Sequence, residues 1–231
     1  MRRYAATMEP TTFRQWVPRP PSARQGPPPP WAAVPAATRS ALADARVHDL
    51  IVSRTGAPPE VGAAVLVPIV ASESPGATGA SVVLIRRAVD LDRDPGHVAF
   101  PGGRLEPGED PLDAALRETE EEIGLARDAV QVKGLLDVVR RRPGEHIAAY
   151  LGVLDSRPTL VPNAGEVESV LEVPLAALLA DGVAWQERWS NGVEERSVHF
   201  FADEAVLADD LVWGVSARIL WGLLARLVGD G

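Results

Sequence analysis

The stretch FPGGRLEPGEDPLDAALRETEEEIGL, residues 100–125, places four glutamates in five positions: Glu118, Glu120, Glu121 and Glu122. A helix is predicted beneath them. Asp110 is a good N-cap, Pro111 suits the first helical position and Gly124 suits a C-terminal stop. Leu112, Ala115, Leu116, Thr119 and Ile123 fall on one face at i, i+3, i+4 spacing. Glu118, Glu121 and Glu122 share another face, roughly 120° from the apolar one. Like charges so spaced cost a helix about 0.2–0.5 kcal/mol per pair, and the helix dipole disfavours anions in its C-terminal half. Two explanations fit such crowding. One is a solvated acidic face, with Arg117 relieving part of the repulsion. The other is a site for hard divalent cations, whose need for oxygen ligands turns mutual repulsion into binding. The preceding loop bears on the choice. Gly102 and Gly103 let backbone approach an ion or a phosphate closely, and Gly108 lets the loop turn back onto the helix.

These residues are spaced as in the Nudix box: Gly, five residues, Glu, seven residues, Arg-Glu, an aliphatic, any residue, Glu-Glu, any residue, Gly, an aliphatic. The positions fall on Gly103, Glu109, Arg117, Glu118, Thr119, Glu121, Glu122, Gly124 and Leu125, and only Thr119 departs from the pattern. The segment therefore resembles the Nudix hydrolases. That resemblance implies a mixed β-sheet sandwiched between α-helices. It implies hydrolysis of a diphosphate linked to another moiety, usually in a nucleoside derivative, with Mg2+ or Mn2+. By position, Glu118, Glu121 and Glu122 would ligand the metal or help activate water, joined by the Gly102 carbonyl. Arg117 would orient the glutamates, Glu109 would brace the loop, and Glu166 lies where many such enzymes place a further glutamate.

Substrate choice lies outside the box. The upstream segment VLIRRAVDLDRDPGHVAFPGG resembles the extension found in the coenzyme A diphosphatase branch, through Leu84, Arg87, Ala88, Gly96 and Phe100 to Gly103. Ile85 stands in place of its threonine and Asp92 in place of an arginine. GEVESVLEVPLAALL and LVWGVSARIL also look like this branch, so the resemblance spans residues 61–228, whereas VVRRRPGEHIAAYLG does not look like it. The expected reaction is hydrolysis of coenzyme A or its thioesters to 3',5'-ADP and 4'-phosphopantetheine. The alternatives are an ADP-ribose or other nucleoside-diphosphate pyrophosphatase, and a catalytically silent Nudix-fold module that senses nucleotides. Arg87, Arg140 and Arg141 are candidate contacts to substrate phosphates, although Arg140 to Arg142 would serve equally as a solvated turn rim. Trp185, Trp189, Trp213 and Trp221 are expected to pack rather than to stack a base. His48, His146 and His199 lack metal-ligand spacing.

Around the motif, an α/β (α+β) fold is expected. Apolar, β-branched strands are predicted at 61–70, 80–88, 97–100, 130–139 and 146–155, with a hairpin over 183–201 turning at Asn191-Gly192. Helices are predicted near 37–52, 173–182 and 211–229. Residues 1–35 hold nine of the 21 prolines, too little branched apolar surface to offset ordering. The expected division is a proline-rich flexible tail with a short helical lead-in at 1–45 and a catalytic domain at 46–231. The net charge of -9 argues against nucleic acid or an anionic membrane as partner, and a homodimer stays open. The absence of cysteine excludes disulfides and thiolate chemistry. With no long apolar run and no apolar region behind Arg2 and Arg3, a cytoplasmic protein is expected.

Overall fold

Aliphatic runs that are apolar at successive positions, rather than at alternate ones, belong to strands covered on both faces. The computed structural model describes residues 17–18, 26–50, 60–71, 79–190, 195–205, 207 and 210–229. Its elements run β1 (Val17–Pro18), α1 (Ala36–Arg46), β2 (Ala63–Val70), β3 (Ser81–Arg87), β4 (Val98–Ala99), β5 (Gly102–Arg104) and α2 (Pro111–Ile123). They continue with β6 (Gln131–Arg142), β7 (Glu145–Leu154), β8 (Val167–Pro174), α3 (Leu175–Leu178), β9 (Ala184–Ser190), β10 (Glu195–Phe201), β11 (Val212–Trp213) and α4 (Gly214–Val228).

A mixed sheet runs β4-β3-β2-β7-β6, with β5 also pairing β2 and β8 pairing β3. Among the described residues only β2 and β7 pair in parallel, from Ala63 opposite Ile147 to Val70 opposite Leu154. Side chains of β2 divide between the two faces. Ala64, Leu66 and Val70 pack with Ala114, Ala115, Leu116 and Ile123 of α2. Val67 and Ile69 pack with Ala43 of α1 and with Ile219, Leu220 and Leu223 of α4. The sheet is thus sandwiched between α2 and the α1–α4 layer. A second, antiparallel sheet runs β1-β9-β10-β11.

Two expectations about secondary structure change, and part of the region before residue 46 packs on the domain: Trp31 is buried against Trp221, with ring centroids 5.0 Å apart, and Arg39 and Ala43 are buried as well. Burying Trp31 removes a large apolar surface from water, which a solvated lead-in would forgo. The first helix ends at Arg46 rather than at residue 52, the last two positions of that expectation lying outside the described residues. β8 is a strand that pattern alone did not reveal, because Glu168 and Glu172 interrupt its apolar residues. It pairs along β3 from Ser81–Pro174 to Arg87–Val167, with a bulge between Arg86 and Arg87. The hairpin is present as β9 and β10, while its Asn191-Gly192 turn lies outside the described residues. No helix among the described residues is long and apolar enough to cross a membrane.

Candidate active site

Helix α2 begins and ends on the predicted residues. The Asp110 side chain accepts from the Leu112 N–H at 2.8 Å, Pro111 opens the helix, and Gly124 closes it in the left-handed region at φ 68°. Thr119 is buried, and its hydroxyl donates to the Ala115 carbonyl at 2.6 Å. The hydroxyl is therefore satisfied within the helix while the residue serves the core.

The strand β5 carries the glycine loop onto β2, with Gly102 opposite Val65 and Gly103 opposite Ala64. Close approach explains both glycines. Gly102 has φ 144°, and a Cβ there would lie 2.6 Å from Val65 Cα. A Cβ on Gly103 would lie 2.5 Å from Glu118 Oε1. The loop and the carboxylate are in direct contact, and only hydrogen fits between them.

Arg117 organises the exposed half of the acidic run. Its Nε and Nη2 donate to the two oxygens of Glu109 at 2.8 and 3.1 Å, and Nη1 donates to Glu118 Oε1 and Glu121 Oε2, both at 3.0 Å. Nη2 also reaches the Arg104 carbonyl at 3.2 Å, which ties the helix to β5. Glu109 accepts in addition from the Glu106 N–H at 2.8 Å. The guanidinium bonds, followed by that backbone bond, hold the Glu109 carboxyl down at about 2. The same bonds to Glu109 raise Arg117 further above its ordinary value.

The three glutamates do not share one environment. Glu121 is 55% exposed, Glu118 19% and Glu122 2%. Glu122 is turned between the helix and β5, where its Oε2 accepts from the Gly102 N–H at 2.8 Å and its Oε1 faces Arg87 Nη1 at 3.6 Å. Burial pushes the Glu122 carboxyl up to about 7. Gly102 and Arg87 oppose that shift, while the charges of Glu118 and Glu166 add to it. Glu118 is also raised, first by burial and then by Glu121 and Glu166, against the pull of Arg117. Glu166 is exposed, on the loop entering β8, yet its charge is felt at both carboxyls. Asn163 N–H donates to the Glu122 carbonyl at 2.8 Å, which ties that loop to the end of α2. Glu120 is exposed.

Among the described residues, no three His, Cys, Asp or Glu side chains are gathered as a metal centre. The expected convergence of Glu118, Glu121 and Glu122 is therefore incomplete. Arg117 holds the first two toward Glu109, and the Gly102 N–H holds the third. The donors still fit a hard divalent cation. Each of these bonds uses one carboxylate oxygen, and each carboxylate has two. Like charges near a buried carboxyl are also the electrostatic condition that a cation relieves.

The cationic candidates separate too. Arg87, at the end of β3, faces Glu122, whereas Arg140 is exposed on β6. Arg141 pairs with Asp94 in the loop between β3 and β4, and with Glu145 at 3.6 Å. Asp94 adopts φ 47°, a left-handed conformation that a short polar residue tolerates. His97 continues the strand that leads into the glycine loop, opposite Arg87. Its carbonyl accepts from the Arg87 N–H at 3.0 Å, a cross-strand pairing that no local sequence pattern announces.

A model of the NUDIX domain matches residues 61–192, more than half of the chain. The chain is 33% identical to "Nudix hydrolase 3" of Caenorhabditis elegans, over 65% of its own length and 68% of that protein. It is 34% identical to the "Uncharacterized Nudix hydrolase NudL" of Yersinia enterocolitica, over 68% of its own length and 77% of that protein. Among solved structures, a MutT/nudix family protein from Enterococcus faecalis aligns with a TM-score of 0.48 and 17% identity, covering 77% of this chain and 71% of that one. The chain belongs to the Nudix family and is a Nudix hydrolase, an enzyme acting on nucleoside diphosphate derivatives.

Proposed function

We propose that the enzyme hydrolyses the diphosphate linkage of coenzyme A or its thioesters, with Mg2+ or Mn2+ held by Glu118, Glu121, Glu122 and the Gly102 carbonyl. The observation that carries this reading is the buried Glu122, set against the glycine loop beside Glu118 and within the field of Glu166. A solvated acidic face has no reason to bury one of its members.

A divalent ion held by Glu118, Glu121, Glu122 and the Gly102 carbonyl would supply neutralisation of charge developing on the diphosphate and a lowered pKa for an attacking water. The rest is the work of the chain. Arg117 sets Glu118 and Glu121 through 3.0 Å bonds and is itself fixed by Glu109. The Gly102 N–H orients Glu122. One carboxylate among Glu118, Glu121, Glu122 and Glu166 takes the proton of the attacking water. Arg87, which faces Glu122, offers positive charge to the substrate's phosphates. Water adds to one phosphorus, the bridging P–O bond breaks, and 3',5'-ADP and 4'-phosphopantetheine leave.

Support for the coenzyme A branch comes from the run Leu84, Arg87, Ala88, Gly96 and Phe100 to Gly103. Arg87, in that run, is the residue that faces Glu122. The test is a panel of coenzyme A, ADP-ribose, dinucleoside polyphosphates and oxidised dNTPs, assayed with Mg2+ and with Mn2+. Coenzyme A is expected to have the highest kcat/KM. A hundredfold preference for ADP-ribose would overturn the substrate and leave the family unchanged.

A further inference from the structure

Trp213 occupies a different setting from the other indoles. Trp221 packs in the core beside Trp31 and Phe201. Trp185 and Trp189 both donate their indole N–H to Glu187, at 3.2 and 2.9 Å. Trp213 is half-buried at the end of β11, which lies against β4, the short strand that leads into the glycine loop. Its ring stands 5.5 Å from the His97 ring, tilted by 60°, and 6.3 Å from that of the buried Trp189, tilted by 38°.

His97 connects this ring to the catalytic carboxylates. Arg87 donates its N–H to the His97 carbonyl at 3.0 Å and accepts from the Gly96 N–H at 3.2 Å, so the two residues continue the β3–β4 pairing. Cross-strand partners project to the same face. Arg87 on that face reaches Glu122 at 3.6 Å. Carboxylate, guanidinium, imidazole and indole therefore form one row. Burial lowers the His97 pKa, opposed by the charge of Asp94 and helped by those of Arg87 and Arg141.

The row is also anchored. Arg86, next to Arg87 in β3, donates to both oxygens of Asp210 at 2.9 and 2.5 Å, and to Glu168 at 3.4 Å. Asp210 is buried and lies two residues before β11. A bidentate guanidinium–carboxylate pair has a defined geometry, so it fixes where β11 begins and hence where Trp213 stands.

We propose that Trp213 and His97 form a stacking shelf for the nucleobase of the substrate, one cross-strand step beyond the arginine that faces the diphosphate. This rests on the enzyme's action on nucleoside diphosphate derivatives, not on the choice of coenzyme A. A base laid on a firm aromatic surface gains binding whatever its hydrogen-bonding edge.

The test measures binding of AMP and of ribose 5-phosphate by isothermal titration calorimetry, on the full chain and without substrate turnover. Wild type should bind AMP at least about tenfold more tightly than ribose 5-phosphate, the difference being the base. Trp213→Leu, which keeps apolar volume without the aromatic face, should lose about tenfold in AMP affinity and leave ribose 5-phosphate within about twofold. Trp213→Phe should stay within about threefold of wild type for AMP. If Trp213→Leu does not fold, the wild-type comparison and His97→Ala decide, the latter being expected to weaken AMP selectively. Equal affinity of wild type for the two ligands would overturn the shelf. So would a folded Trp213→Leu, or His97→Ala, that binds AMP as wild type does or loses both ligands alike. Failure of coenzyme A hydrolysis would leave the shelf standing, and failure of the shelf would leave the hydrolysis standing.

Discussion

Two charged side chains are buried in this protein to almost the same degree, Arg39 at 3% exposure and Glu122 at 2%, and they are treated in opposite ways. Arg39 is fully engaged. It donates to the carbonyls of Val34, Ala32 and Leu179 at 2.5, 3.0 and 2.8 Å, and to Asp181 at 2.7 Å, pinning α1 to the segment that follows α3. Glu122 has one N–H, an arginine at 3.6 Å, and like charges nearby. A buried charge is tolerated when its partners repay desolvation, and strained when they do not. Arg39 is a clasp of the fold. Glu122 is a buried carboxylate whose partners do not repay its desolvation, the arrangement that the proposed cation site would use.

The largest expected difference between the two is in turnover. Glu122→Gln keeps volume but removes a ligand charge, so kcat should fall by at least about a hundredfold, the scale of several kcal/mol of lost charge stabilisation. Arg39→Met should leave kcat/KM of the folded protein within about twofold while costing about 3 kcal/mol of stability, because three carbonyls lose their donor. Urea unfolding beside steady-state kinetics separates the two effects. Loss of activity in Arg39→Met without loss of stability would break the contrast.

Acidity sharpens it further. The Glu122 carboxyl titrates near 7 in the fold and at 4.5 in the unfolded chain. The native state therefore holds more protons across that window, and metal-free stability falls as pH rises through it. The shift corresponds to roughly 3 kcal/mol in total. His199 does the opposite. Burial lowers it from 6.5 to about 4, with the Arg218 charge adding to the effect, so its contribution to stability is lost as pH falls between those values. The two slopes oppose one another in the wild type. Glu122→Gln should expose a stability that rises with pH between about 4 and 6.5, and His199→Phe one that falls between about 4.5 and 7. Denaturant titrations at several pH values, without metal, would read both. Unchanged slopes would show that these two groups do not carry the pH dependence.

The smallest effect is expected at Glu120, which is exposed. Glu120→Gln should keep kcat within about twofold, since it removes a solvated charge that the active site does not use. A loss as large as that at Glu122 would mean that the acidic run acts as a diffuse field.

Much of this site is legible in the residues themselves. The cap at Asp110, the stop at Gly124, the apolar face of α2 and the box from Gly103 to Leu125 are local patterns, and the folded chain keeps the local ones where they stand. Glu122 was harder to place. Helical geometry sets it beside Glu118 and Glu121, but its burial depends on β5 folding over the helix, a contact twenty residues away in the chain. The pairing of Arg87 with His97 and the burial of Trp31 were equally hidden, because each depends on a partner that local sequence does not name. β8 escaped because its partner β3 overrides the weak strand preference of Glu168 and Glu172.

The central claim, that the crowded carboxylates are there for a divalent cation, is tested most directly by the metal alone. Thermal unfolding of wild type and Glu122→Gln should be followed with increasing Mn2+, and separately with Mg2+. Binding to the native state stabilises by about 2.7 kcal/mol at a hundredfold excess over Kd, so wild type should show a clear, saturable rise in Tm. Glu122→Gln should start level with or above the wild type without metal and show little of that rise. Equal stabilisation of the two proteins, or none of either, would contradict the account and leave the acidic run as a solvated face.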